Sequence, residues 1–206
     1  GSHLLSIRDP IIAAAGNLAI ADLDGDGQPE IVAITRSYQV VAYRNNGAKW
    51  WVSEITTSAD GYPAWGAPFI ADIDGDGSPE IVHGKAVLNF DGTTKWRASG
   101  PYVGSSFQTN GRFSIPLVAD IQNLGAGQVV LGGSLYSATG QLLWQVPMDG
   151  FTAIGDFGGS GTASIAIVSE GRLSLVSATG KIIWTVYLPG GGIGGPPTIA
   201  DMDGDG

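Results

Sequence analysis

The chain has 206 residues, 43% of them apolar and 14% charged, with 33 glycines, 11 prolines, no cysteine and a net charge of -9. That size and apolar content suit a single domain with a sizeable core and exclude a disordered chain. No apolar run reaches the roughly 18 residues needed to span a bilayer, and the absence of cysteine excludes disulfides, thiolate metal sites and cysteine catalysis. The acidic balance also argues against a nucleic-acid partner, whose phosphates require clustered Lys and Arg.

Gly1-Ser2-His3 reads as an expression-tag remnant, which leaves His83 as the only other histidine. Eleven of the 19 acidic residues fall in three clusters: Asp22, Asp24, Asp26 and Glu30; Asp72, Asp74, Asp76 and Glu80; and Asp201, Asp203 and Asp205. Outside them eight acids face ten bases, so the negative charge is local. Like charges this close repel unless something compensates them.

In chain order, Ala21-Asp-Leu-Asp-Gly-Asp-Gly-Gln-Pro-Glu-Ile-Val32 returns as Ala71-Asp-Ile-Asp-Gly-Asp-Gly-Ser-Pro-Glu-Ile-Val82. Weaker copies start at Ala119-Asp120 and Gly155-Asp156, and a further copy opens at Ala200-Asp201. The leading aspartates stand 50, 48, 36 and 45 residues apart, a repeat of propeller-blade length. Each unit then carries a turn glycine followed four residues later by tryptophan: Gly47 and Trp51, Gly92 and Trp96, Gly140 and Trp144, Gly180 and Trp184. Glycines between runs such as Gln39–Tyr43 and Lys49–Ser53, or Arg172–Val176 and Ile182–Tyr187, are hairpin signals.

Each unit therefore reads as four short strands. The first ends at the aspartate (Phe69–Ala71), the second follows the acidic loop (Glu80–His83), and the Gly/Trp hairpin supplies the last two. The expected architecture is an all-β propeller of four-stranded antiparallel blades, about four plus the first strand of a fifth, within residues 4–206. Repeats start near 16, 66, 114, 150 and 195. The tryptophans are expected to pack between neighbouring sheets rather than to stack on sugars.

In Asp22-x-Asp24-x-Asp26-Gly27-Gln28-Pro29-Glu30, oxygens at relative positions 1, 3, 5, 7 and 9 can wrap one cation, with position 7 giving its backbone carbonyl. All-oxygen donors with several carboxylates favour Ca²⁺. The expected metal residues are Asp22, Asp24, Asp26, Gln28 and Glu30; Asp72, Asp74, Asp76, Ser78 and Glu80; and Asp201, Asp203 and Asp205. An EF-hand is excluded, because position 12 is Ala33 or His83 rather than Glu and a strand-like Ile-Val run follows. Turns without metal are the plain alternative, and two nearly identical loops tip the reading toward an ion. Asp120 keeps only Gln122 and Gln128 as companions, and Asp156 only Ser160 and Ser164, so those loops are expected to close by hydrogen bonds.

The acidic loops, the prolines four residues ahead at Pro68, Pro116 and Pro197, and the Ile-Val strand after the loop resemble FG-GAP (VCBS) repeats, those of integrin α-subunit propellers and many bacterial surface proteins. The Gly-x-x-x-Trp hairpins also resemble quinoprotein-like blades. The resemblance implies calcium on a loop joining the first two strands of a blade, and ligands bound on the opposite face through inter-blade loops. It does not imply one activity. Four units plus an opening strand fall short of the six to eight blades usual in that family, so either a longer parent or self-association to complete the ring is expected.

Catalytic groupings are thin. His83 has no second histidine or cysteine for a triad and reads as structural. Gly190–Gly195 is followed by Pro196-Pro197 rather than a helix, which excludes a dinucleotide fingerprint. The long segments between blades carry Tyr62 and Trp65, then Tyr102, Phe107, Arg112 and Phe113. These either bind a protein or carbohydrate ligand or plug gaps between blades. The expectation is a secreted or cell-surface, non-enzymatic, calcium-stabilised adhesion or binding module, with a polysaccharide lyase or a structural spacer as alternatives.

Overall fold

The computed structural model describes residues 11–13, 16–54, 65–98, 113–159, 161–191 and 194–202. The first blade comprises β1 (Ala19–Ala21), β2 (Glu30–Ile34), β3 (Val40–Tyr43) and β4 (Lys49–Val52). A two-residue strand, β5 (Trp65–Gly66), leads into the second blade of β6 (Phe69–Ala71), β7 (Glu80–His83), β8 (Ala86–Leu88) and β9 (Thr94–Arg97). A similar lead, β10 (Phe113–Ser114), precedes the third blade of β11 (Leu117–Ala119), β12 (Gln128–Leu131), β13 (Ser134–Tyr136) and β14 (Leu142–Gln145). The fourth holds β15 (Phe151–Gly155), β16 (Ser164–Ser169), β17 (Arg172–Ser177) and β18 (Ile182–Tyr187). Each blade is a four-stranded antiparallel meander in sequence order, and no helix occurs among the described residues.

One register recurs in all four blades. The residue before the leading aspartate pairs with the ninth residue of the motif: Ala21 with Glu30, Ala71 with Glu80, Ala119 with Gln128 and Gly155 with Ser164. The acidic loop thus sits at the mouth of the first hairpin, with position 9 already on the second strand.

Three of the four apolar clusters lie between neighbouring blades, and the fourth (Ala33, Val41 and Tyr43) lies on the first blade. Val32, Ile34, Val40 and Ala42 face Ile81, Ala86 and Leu88 of the next blade; Val82 and Val87 turn the other way toward Val129, Leu131 and Tyr136. Val130 and Leu135 then meet Ile165, Ile167 and Val176. Inner strands sandwiched on both faces are largely apolar, which accounts for the Ile-Val runs.

The tryptophans fasten one blade to the next. Trp51 Nε1 donates to the Phe90 carbonyl at 3.1 Å, Trp96 to that of Ala138 at 2.8 Å, and Trp144 to that of Ala178 at 2.8 Å. Each acceptor lies two residues before the following blade's turn glycine, and the indole ring lies on that glycine. A Cβ on Gly140 would stand 2.7 Å from the Trp96 ring, and its φ of +82° disfavours any side chain. Trp184, with no further blade against it among the described residues, remains 38% exposed, and the whole of β18 is open.

The lead segments run side by side. β5 and β10 pair in parallel (Trp65 with Phe113, Gly66 with Ser114), and Gly16 bridges Gly66 in the same sense.

The glycine–tryptophan contact separates two costs that a sequence pattern merges. Gly125 has φ +79° but open space around it, so Gly125→Ala should cost about 1 kcal/mol of backbone strain. Gly140→Ala adds a collision with Trp96 and should cost about 3 kcal/mol. Thermal or urea melts of the two variants measure the difference; equal losses would remove the ring contact from the account.

Candidate metal centres on the first two blades

Leu23 and Ile73, the apolar residues between the first and second aspartates, point down into the inter-blade core and are buried. Ile121 does the same in blade three. Phe157, at the equivalent place in blade four, is 47% exposed. An apolar anchor next to a string of carboxylates holds the loop to the sheet and leaves its acids at the surface.

Around that anchor the loop folds on its leading aspartate. Asp22 accepts the Gly25 and Asp26 amides on Oδ1 at 2.9 and 3.1 Å and the Gly27 amide on Oδ2 at 2.9 Å. Asp72 repeats the pattern with Gly75, Asp76 and Gly77. Gly25 and Gly27 have φ of +74° and +84°, which lets three successive amides converge. Asp26 and Asp76 take the amides of Gln28 and Ser78 at 2.7 and 2.8 Å, while the Gln28 side-chain carbonyl accepts from Asn45 Nδ2.

Glu30 and Glu80 are buried at the base of the loop, where one oxygen of each accepts the Leu23 or Ile73 amide at 2.9 and 2.8 Å. Carboxylate oxygens of Asp22, Asp24 and Glu30 come within 4.8 Å of one another, as do those of Asp72, Asp74 and Glu80. Oxygens so spaced, with no nitrogen or sulfur among them, fit a hard cation that takes oxygens at about 2.3–2.6 Å. Positions 1, 3 and 9 therefore converge; at position 5 one oxygen of each carboxylate accepts the amide of position 7. In the third cluster Asp201 is exposed, and Asp203 and Asp205 lie outside the described residues.

Two residues that the repeat pattern did not single out complete each site. Arg44 Nη1 lies 2.5 Å from Asp24 Oδ2 and 3.2 Å from Glu30 Oε1, with its guanidinium 3.6 Å from the centroid of the Trp50 ring. Lys95 Nζ lies 2.5 Å from Asp74 Oδ2 and 2.8 Å from Glu80 Oε1. The hydrogen bond from Arg44 holds the Asp24 carboxyl below the usual range, and that from Lys95 does the same to Asp74. Burial pulls Lys95 downward, but its two carboxylate bonds outweigh it and the ammonium pKa is raised. Proximity to the turn glycine is a weak signal in the sequence, since Lys181 follows Gly180 in the fourth unit, which has lost the acids; only a cation three residues before or after that glycine goes with them.

The degenerate loops close without either charge. Asp120 accepts the Leu124 and Gly125 amides at 2.7 Å each, which lowers its pKa. Gln128 stands where Glu30 stands and accepts the Ile121 amide at 2.6 Å. Asp156 takes the Gly158 and Gly161 amides; Ser160 lies outside the described residues.

Of the residues expected to bind a ligand, Tyr62, Tyr102, Phe107 and Arg112 also lie outside the described residues. Trp65 and Phe113 are placed by their backbones in the parallel β5–β10 pair.

A model of the FG-GAP-like repeat matches residues 22–83. That stretch is an FG-GAP-like repeat, and the chain is a β-propeller. No curated protein matches the sequence. Solved structures share the fold. The V. cholerae biofilm matrix protein Bap1 superposes with a TM-score of 0.68 at 22% identity, over 82% of this chain and 28% of its own. The exotype rhamnogalacturonan lyase YesX gives 0.61 at 24% identity, over 81% and 31%. BBS1N, solved in complex with ARL6DN, gives 0.57 at 14% identity, over 87% and 58%. The chain thus spans about a third of the first two proteins, and at these identities the likeness is one of fold.

His83, at the end of β7, is fully buried, and burial lowers its pKa to about 4 from 6.5. The native state therefore resists a proton that the unfolded chain accepts. Its contribution is fully present above pH 6.5 and is lost as pH falls toward 4, by about 3 kcal/mol in all. Melting curves from pH 7 to 4.5 should show this decline in the wild-type chain and a shallower one in His83→Gln. Parallel pH profiles would contradict the assignment.

Proposed function

We propose that this chain is a calcium-stabilised, non-enzymatic propeller module of a secreted or cell-surface protein, used in adhesion or in holding a protein or carbohydrate ligand. One observation carries the reading: two blades place three carboxylates within 4.8 Å of one another on identically folded loops, each with a buried glutamate at its base. Asp22, Asp24 and Glu30 would hold one ion and Asp72, Asp74 and Glu80 another. The Asp201 cluster would supply a third with Asp203 and Asp205.

The ion's contribution is charge neutralisation and a bond between the loop and the second strand of its blade. The chain's own residues do the rest. The leading aspartate shapes the loop, the anchor leucine or isoleucine fixes its height, and the glutamate presents an oxygen from the sheet. Such a site suits extracellular calcium, which is far more abundant than cytosolic calcium. The fold likeness to a biofilm matrix protein supports the adhesion reading. Ligand contacts are assigned to the inter-blade segments bearing Tyr62, Trp65, Tyr102, Phe107, Arg112 and Phe113.

A lyase is the second reading, favoured by the fold shared with a rhamnogalacturonan lyase. Incubation with rhamnogalacturonan separates the two: new ultraviolet absorbance from unsaturated ends would establish the lyase, whereas binding without such ends supports the module.

Occupancy of one site at 100 times its dissociation constant adds about 2.7 kcal/mol, or roughly 5–10 °C in melting temperature for a chain of this size. Scanning calorimetry in chelator and in excess calcium should show at least that difference. Asp24→Ala and Asp74→Ala should each remove one bound ion by native mass spectrometry. An unchanged melt in chelator would contradict the reading.

A further inference from the structure

The two loops that keep their acids are also the two that meet an internal cation, and the cation arrives from a different place in each blade. Arg44 stands three residues before the turn glycine Gly47, just past β3. Lys95 stands three residues after the turn glycine Gly92, on β9. The residue corresponding to Arg44 in blade two is Asn89, and the one corresponding to Lys95 in blade one is Trp50. What recurs is a positive charge at one point in space, bridging the carboxylates at positions 3 and 9.

The degenerate blades supply the control. In blade three those carboxylates are replaced by Gln122 and Gln128, and in blade four by Gly158 and Ser164. The matching cation positions are then Ser137 and Leu143, and Ser177 and Ile183. Acid pair and cation are present together in two units and absent together in two.

We propose that Arg44 and Lys95 are tethered counter-ions that stand in for the metal: each offsets part of its acidic loop's charge while the loop is metal-free, and leaves when a divalent ion takes the same carboxylates. This rests on the metal-binding reading above. An ion and a side-chain cation sharing Asp24 and Glu30, or Asp74 and Glu80, would be like charges a few ångströms apart competing for the same oxygens. Both side chains can withdraw: Arg44 and Lys95 are 30% and 20% exposed, at the rim of the loop rather than beneath it. Arg44 stacks on the Trp50 ring while it bridges the carboxylates, a contact that does not depend on them. The two blades would then fold before calcium is met, and calcium would bind more weakly than three free carboxylates allow.

Calorimetric titration of the chelator-treated chain with calcium chloride tests this on wild type, Arg44→Met, Lys95→Met and Lys95→Arg, with melts in chelator and at saturating calcium alongside. In each Met variant one site should gain affinity by about tenfold. The melting temperature in chelator should fall, while that at saturating calcium matches wild type. Lys95→Arg, which keeps the charge, should titrate like wild type. Calcium binding with affinity unchanged or reduced in both Met variants overturns the counter-ion role and leaves the metal reading standing. No calcium binding in any of the four proteins overturns both. For a Met variant too unstable to fold in chelator, recovery of the wild-type melt on adding calcium supports the proposal, and no recovery overturns it.

Discussion

Three carboxylates within 4.8 Å of one another repel, and a positive charge placed among them relieves that repulsion. Each pair of unit charges at about 4 Å costs on the order of 1 kcal/mol in water and about 4 kcal/mol at the effective dielectric of a protein surface. Glu30 and Glu80 sharpen the demand because the sheet buries them. Two features of the loop meet it: a side-chain cation at the rim and oxygen donors arranged for a hard ion. Where the acids are gone, amides alone close the turn on Asp120 and Asp156.

The same loop is tied into the packing of the propeller. Leu23, Ile73 and Ile121 belong at once to the loop and to the layer between two blades. The opposite hairpin of each blade makes the second fastening, a tryptophan ring on the next blade's turn glycine with its N–H on the next blade's carbonyl. Fixing the loop therefore fixes one side of an inter-blade layer. That is how a charge placed at the surface would reach the stability of the fold.

Much of the architecture was legible in the residues. Phe69–Ala71, Glu80–His83 and Ile182–Tyr187 form strands at their expected bounds, because turn glycines and the Asp-Gly-Asp-Gly loops punctuate short apolar runs. The hydrogen-bonded closure around Asp120 also followed from its lost companions. Three things did not show. Asp26 and Asp76 alternate with the other acids as ligands would, and the sequence does not show that one oxygen of each also accepts the amide of Gln28 or Ser78. Arg44 and Lys95 occupy opposite arms of the hairpin, so no fixed spacing from the motif marks them, and only three-dimensional pairing makes them equivalent. The tryptophans were legible as packing residues, but their contact with a glycine some 40 residues on is a property of blade stacking.

The most direct test of the central claim is anomalous diffraction from crystals grown with terbium, a calcium substitute with a strong anomalous signal. The account requires one peak in each of the first two acidic loops, within about 2.6 Å of oxygens of Asp24 and Glu30 or of Asp74 and Glu80, and none at Asp120 or Asp156. Loops without a peak under saturating terbium, with Arg44 and Lys95 still bridging their carboxylates, would contradict it.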